Sequence, residues 1–198
     1  MSENGLSLTV VDGLALPLDY RKALRPDEMW KDAAGMKRQL PRYFYEVPSW
    51  DAAMKMQLTP NFMLWEFIQV DVRETRILLG FPRYVPCAIT LLAVCLERFR
   101  EAVGTFVHIA ANGGYRSPSH AFSRNASLHS WGIAANIYRI GDTYLDNREA
   151  IERFGGIARE ALPGVWTKPY GFAAGFAEDH LHLDLGYVTS VPRDARSK

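Results

Sequence analysis

The residues of this chain that could do chemistry gather in its second half. Asp179-His180-Leu181-His182-Leu183-Asp184 alternates polar and apolar positions. A strand's period of two sends His180 and His182 to one face, with Asp179 three residues ahead of His182. That pairing suits a metal ligand beside a general base, although paired polar residues on a strand more often form a solvated face. A second cluster, Ser127-Leu-His129-Ser-Trp-Gly132-Ile-Ala134-Ala-Asn136, closes a loop with one imidazole and continues into a strand carrying a side-chain amide. Arg116 stands on the turn Gly114-Tyr-Arg-Ser-Pro118, where a guanidinium can grip a carboxylate through two N–H groups. His108, inside an apolar strand, reads as structural, and His120 lies in the loop between two strands. A serine nucleophile has no support: Ser117 and Ser127 sit in polar turns, and the chain has no G-x-S-x-G elbow.

The elements that must position these residues are legible from periodicity. Ala88, Leu92, Cys95, Leu96, Phe99 and Val103 recur at helical spacing, which predicts a helix from Pro86 to Val103 stopped by Gly104. Thr105–Ala111 reads as a strand ending at Asn112-Gly113-Gly114, and Trp131–Ile140 as another closed by Gly141-Asp142. Asp146 with Glu149 predicts a capping box for a helix that Pro163-Gly164 ends. The last strand is His180–Leu185. Thr59 is placed as the cap, and Pro60 as the first residue, of a short helix leading into Phe67. The first 57 residues, with Pro17, Pro26, Pro41, Pro48 and the cluster Tyr43-Phe44-Tyr45, read as an extended arm. Such aromatics call for cover, so the arm is expected to lie on the body or to make a homodimer. The mixture predicts an α+β domain with a small antiparallel sheet flanked by helices over residues 58–198.

The spelling of these clusters is similar to that of a known family. Ser127 to Asn136 resembles the S-x-H-x-x-G-x-A-x-D signature of the zinc D-alanyl-D-alanine carboxypeptidases and L-alanyl-D-glutamate endopeptidases, whose fold the hedgehog domain shares. Gly114–Pro118 resembles the family's G-Y-R-S-P turn, Asn61–Phe67 its N-F-x-x-x-E-F helix, and His182-Leu-Asp184 its H-x-D strand. The resemblance runs over roughly residues 58 to 186. It implies zinc held by His129, Asn136 and His182, with Asp179 activating water. His180 shares the strand face of His182, and that placement suits it to donate a hydrogen bond to the developing oxyanion or to a metal-bound water. Arg116, and with less weight Ser127, would contact the substrate, a small peptide or peptidoglycan fragment. Asn136 stands where the signature has Asp. A neutral amide leaves the metal site one charge more positive, and zinc affinity is expected to fall. Retention of the fold as a binding or structural module is the other reading that this exchange suggests.

Composition narrows the classes further. The 198 residues carry 23 Lys+Arg against 22 Asp+Glu, a net charge of +1, so nucleic acid is not an expected partner. No apolar run approaches a membrane span, which predicts a soluble protein. The start lacks a basic segment followed by an apolar one, which makes the cytoplasm the default compartment. Cys87 and Cys95 lie eight apart in the expected helix, roughly 12 Å, too far for a disulfide.

Overall fold

In the computed structural model, residues 8–71 and 81–193 are described. The N-terminal region is folded rather than extended. It runs through β1 (Thr9–Asp12), α1 (Leu18–Leu24), the hairpin β2 (Met29–Lys31) and β3 (Lys37–Gln39), β4 (Tyr43–Glu46) and α2 (Trp50–Lys55). The aromatic cluster is the reason. Alternation in β4 turns Phe44 inward, where it is 1% exposed, and β4 forms the middle of a three-stranded antiparallel sheet. One neighbour in that sheet is β1 and the other is β7 (Tyr84–Pro86). Phe44 and Val47 therefore share one core with the later helices, and the expected boundary after residue 57 falls inside β5 (Gln57–Thr59).

Thr59 and Pro60 do not begin a helix. Thr59 ends β5, Pro60 sits in the turn to β6 (Phe62–Met63), and α3 (Leu64–Ile68) starts only afterwards. The Glu66 carboxylate accepts from Met63 N (2.8 Å) at its N-terminus, so an acidic side chain satisfies the free donor there. Asn61 is held to Glu97 of the long helix that follows through both its backbone N–H and its side-chain amide.

That helix, α4 (Ile89–Val103), starts three residues later than expected, because Pro86 ends β7 and Cys87 lies before the helix. Both cysteines are free. Gly104 stops α4 in the left-handed region (φ +68°), its N–H bonded to Arg100 O, a conformation that costs a side chain about 1–2 kcal/mol. Leu92, Leu96 and Phe99 on its inner face are fully buried, each at a position where truncation to alanine costs about 2–5 kcal/mol.

The second sheet has five strands around β9 (Ala134–Ile140), which pairs antiparallel with β8 (Val107–Ile109), β10 (Thr143–Tyr144) and β12 (Leu181–Asp184); β11 (Trp166–Thr167) pairs with β12. Between β10 and β11 runs α5 (Arg148–Ala161). Its cap is Asn147, whose side chain accepts from Ala150 N (3.0 Å), one residue after the Asp146 that the sequence suggested. Leu181, Leu183, Ala135 and Ile137 fill the sheet face toward the helices. The architecture is α+β with small antiparallel sheets. Among the described residues no helix is long and apolar enough to cross a membrane.

Candidate functional site

Strand register builds the site. In the β9–β12 ladder His182 lies directly opposite Asn136, and Leu181 and Leu183 lie opposite Ile137 and Ala135. Alternation therefore gives the helices the four apolar side chains and leaves Asn136, His182 and Asp184 together on the other face. Asn136 Oδ1 is 2.9 Å from His182 Nδ1, and Asp184 Oδ2 is 3.1 Å from His182 Nε2.

His129 reaches the same place from a single 3-10 turn, Leu128–Trp131, that ends at Gly132. Its Nδ1 donates to Gly114 O (2.8 Å), and its ring meets the His182 ring edge-on with centroids 5.2 Å apart. The glycine turn makes that acceptor available. Tyr115 N bonds to Phe67 O at the end of α3 (2.7 Å), Arg116 N bonds to His129 O (3.2 Å), and a Cβ on Gly114 would fall on the Phe67 carbonyl. Only a residue without a side chain allows the turn to pass so close to α3. The helix and turn segments singled out in the sequence are thus two halves of one joint under His129.

Both imidazoles are nearly inaccessible, His129 at 3% and His182 at 4% exposure. Burial, with Arg116 and the His182 ring nearby, holds His129 well below the ordinary histidine range. His182 is lowered by burial and by Lys168, against the pull of Asp184 in the other direction. Neutral rings follow, and their proton positions are set by their partners. A carbonyl can only accept, so His129 carries its proton on Nδ1 and keeps a lone pair on Nε2. The Asp184 carboxylate accepts a hydrogen bond from the His182 Nε2–H (3.1 Å), leaving the Nδ1 lone pair facing the Asn136 oxygen.

Two lone pairs at 2.9 Å repel unless a cation lies against both, the amide turns over and donates an N–H to Nδ1, or His182 takes a second proton at Nδ1 and donates to the amide oxygen. The first arrangement suits zinc in its imidazole donors. Each ring has its outer nitrogen tied to an acceptor, the usual outer-shell pattern of metal-binding histidines, while the inner nitrogen of His182 faces the Asn136 oxygen. Among the described residues no group of three or more histidine, cysteine or acidic side chains is placed to hold a metal. A metal here would depend on His129, His182 and the Asn136 amide, a fit with two good donors and one weak one.

The remaining expected residues surround this pair at varying range. His180 Nδ1 donates to Asp179 Oδ1 (2.6 Å); the Asp179 side chain is 77% exposed and the His180 side chain 22%. Burial lowers His180, and its bond to Asp179 raises it in part. Arg116 is largely buried, its Nη1 donating to Asn112 O (2.6 Å) and its Nε without a hydrogen-bond partner, and burial brings its pKa down to about 10. Ser127 begins the 3-10 turn without a side-chain cap bond; its carbonyl accepts from Ser130 N (2.8 Å). The structure thus joins His129, His182 and Asn136, and pairs Asp179 with His180. It gives the Ser127 hydroxyl no part in that cluster.

Asp184, spelled out in the H-x-D strand but given no role there, orients His182. Two contributors escaped the sequence reading: the half-exposed Trp166 packs its ring on His182 (centroids 5.9 Å), and Lys168 follows Trp166 by two residues. Both become visible only once β11 is paired with β12. Family models, curated proteins and solved structures gave no match to the chain.

Proposed function

We propose that the protein is a metal-dependent amide hydrolase of the D-alanyl-D-alanine carboxypeptidase type, on the hedgehog/DD-peptidase fold, acting on a small peptide or peptidoglycan-like stem peptide. One observation carries the reading: His129 and His182 meet with their outer nitrogens bonded to Gly114 O and Asp184, and Asn136 faces the inner nitrogen of His182. His129, His182 and Asn136 would hold zinc, which supplies a Lewis acid for the carbonyl and acidifies a water.

The chain's own groups do the rest. Asp179, exposed and hydrogen-bonded to His180, takes a proton from water. His180, held in one tautomer by that bond, offers its other nitrogen toward the reacting carbonyl or leaving amine. Arg116, with an unpartnered buried Nε on a rigid turn, binds a carboxylate of the substrate.

The test is metal analysis of protein purified without chelator, followed by incubation with D-Ala-D-Ala and L-Ala-D-Glu peptides. Bound zinc and release of the C-terminal amino acid are expected. Protein that is metal-free and stays inert when zinc is supplied would overturn the proposal.

A second reading has its own observation. With the amide turned over, Asn136 donates to His182 and the Asn136–His182–Asp184 chain is satisfied without metal. In that state the cleft is a ligand-binding module, and peptides bind without being cleaved.

A further inference from the structure

The sheet adds a residue to this site for which the sequence offered no role. Trp166 and Thr167 lie opposite Asp184 and Leu183 in the β11–β12 ladder, and Lys168 N donates to His182 O (3.2 Å), which continues the register by one position. Lys168, His182 and Asn136 consequently form one row across three strands. Alternation puts Lys168 on the face of the imidazoles. Thr167 points the other way, its hydroxyl accepting from Arg159 of α5 (2.6 Å), whereas Trp166, two positions from Lys168, meets the His182 ring.

Lys168 is half-buried and makes no ion pair with a described residue. The carboxylate whose field it feels, Asp184, is already bonded to His182 and to Gly186 N. Arg116 adds a second cation within electrostatic range of both Lys168 and His129. Two partly desolvated cations, Lys168 and Arg116, therefore stand within range of each other, and Asp184, the buried carboxylate that Lys168 feels, is already committed to His182 and Gly186. Partly buried positive charge that is incompletely balanced is unfavourable, and a ligand carrying an anion removes that cost.

We propose that Lys168 is a substrate-recognition residue which, with Arg116, binds a carboxylate group of the ligand, so that the cleft takes anionic peptides and does so in the absence of metal. This rests on the reading of the cleft as a peptide site. Its test is calorimetric titration of the chelator-treated full chain with N-acetyl-D-alanyl-D-alanine and with the same peptide as its C-terminal amide. The acid binds about tenfold more tightly than the amide, the scale of one charge-assisted hydrogen bond. Lys168→Gln loses about tenfold for the acid and nothing for the amide, and Lys168→Arg retains binding of the acid. The unchanged amide affinity reports an intact cleft in each variant.

Equal acid affinity in the parent and Lys168→Gln, or no binding of the acid by the parent, overturns the assignment. Zinc-dependent turnover with an unaltered acid affinity in Lys168→Gln would overturn it while leaving the hydrolase standing. Metal-free binding of the acid that Lys168→Gln weakens, without turnover at any zinc concentration, would do the reverse.

Discussion

Asn136→Asp is the perturbation that separates the two readings of the site most sharply. The side chain keeps its size and its place opposite His182, 2.9 Å from Nδ1, so packing changes little while the donor gains a full negative charge. Outer-shell partners of metal ligands, which only orient them, typically change affinity by about 10–100-fold. Converting an inner donor from amide to carboxylate should do at least as much, so a gain of about 100-fold in zinc affinity is expected, roughly 2.7 kcal/mol. Equilibrium dialysis against buffered zinc at neutral pH, with parent and variant side by side, measures it directly. Peptide hydrolysis that appears only in the variant would identify the parent as a binding module on a peptidase scaffold. Equal zinc affinity in the two proteins would refute the reasoning, because it would mean that the residue 136 side chain does not face the metal position.

Two further outcomes follow from the packing around the site. Trp131→Phe removes the bond from Nε1 to Gln39 O (3.1 Å) in the wall beneath His129 and should cost about 1–3 kcal/mol of unfolding free energy by denaturant titration; an unchanged midpoint would show that the wall does not depend on this bond. Burial lowers His129, His182 and His120, the last to about 4, so the unfolded chain, with histidines near 6.5, takes up protons that the folded one refuses. Their contribution is complete above about pH 6.5 and declines as pH falls, approaching about 1.4 kcal/mol per pH unit for each histidine. Unfolding midpoints that do not move between pH 7.5 and 5 would contradict this.

The parts of this fold visible in the sequence are those whose side chains obey one period. α4 and α5 announce themselves by apolar residues at helical spacing, and β12 by strict alternation. Their ends were less legible, because caps depend on which neighbouring residue reaches a free N–H: Asn147 does so in place of Asp146, and Glu66 works from inside α3 where Thr59 seemed the natural cap. The N-terminal region misled for a different reason. Its strands are three or four residues long, too short to show a period, and β4 is recognisable only beside β1 and β7. The same holds for the cleft. His129 and His182 could be picked out by residue type and neighbouring letters, but Lys168 and Trp166 owe their position to a register that no single segment encodes.

The short N-terminal elements also bear on how His129 stays in place. A single 3-10 turn has little stability of its own, and the one under His129 is held from both sides. On one side, the Gly114 turn is fastened to α3 through Phe67 O. On the other, the β2–β3 hairpin supplies Gln39 O to Trp131 and Lys31 O to Ala126 N (2.8 Å), and Leu40 packs with Trp131 and Ile133. Tyr187, just past β12, closes the same wall by donating to Ala126 O (2.8 Å), with the Arg38 guanidinium 4.4 Å from its ring centre. An imidazole whose partner ring sits on a rigid strand pair needs such a brace, since a shift of about 1 Å is enough to spoil convergent donors. The N-terminal region therefore bears on the site through geometry: it braces the wall that carries His129, and loosening that wall changes the site without altering any residue in it.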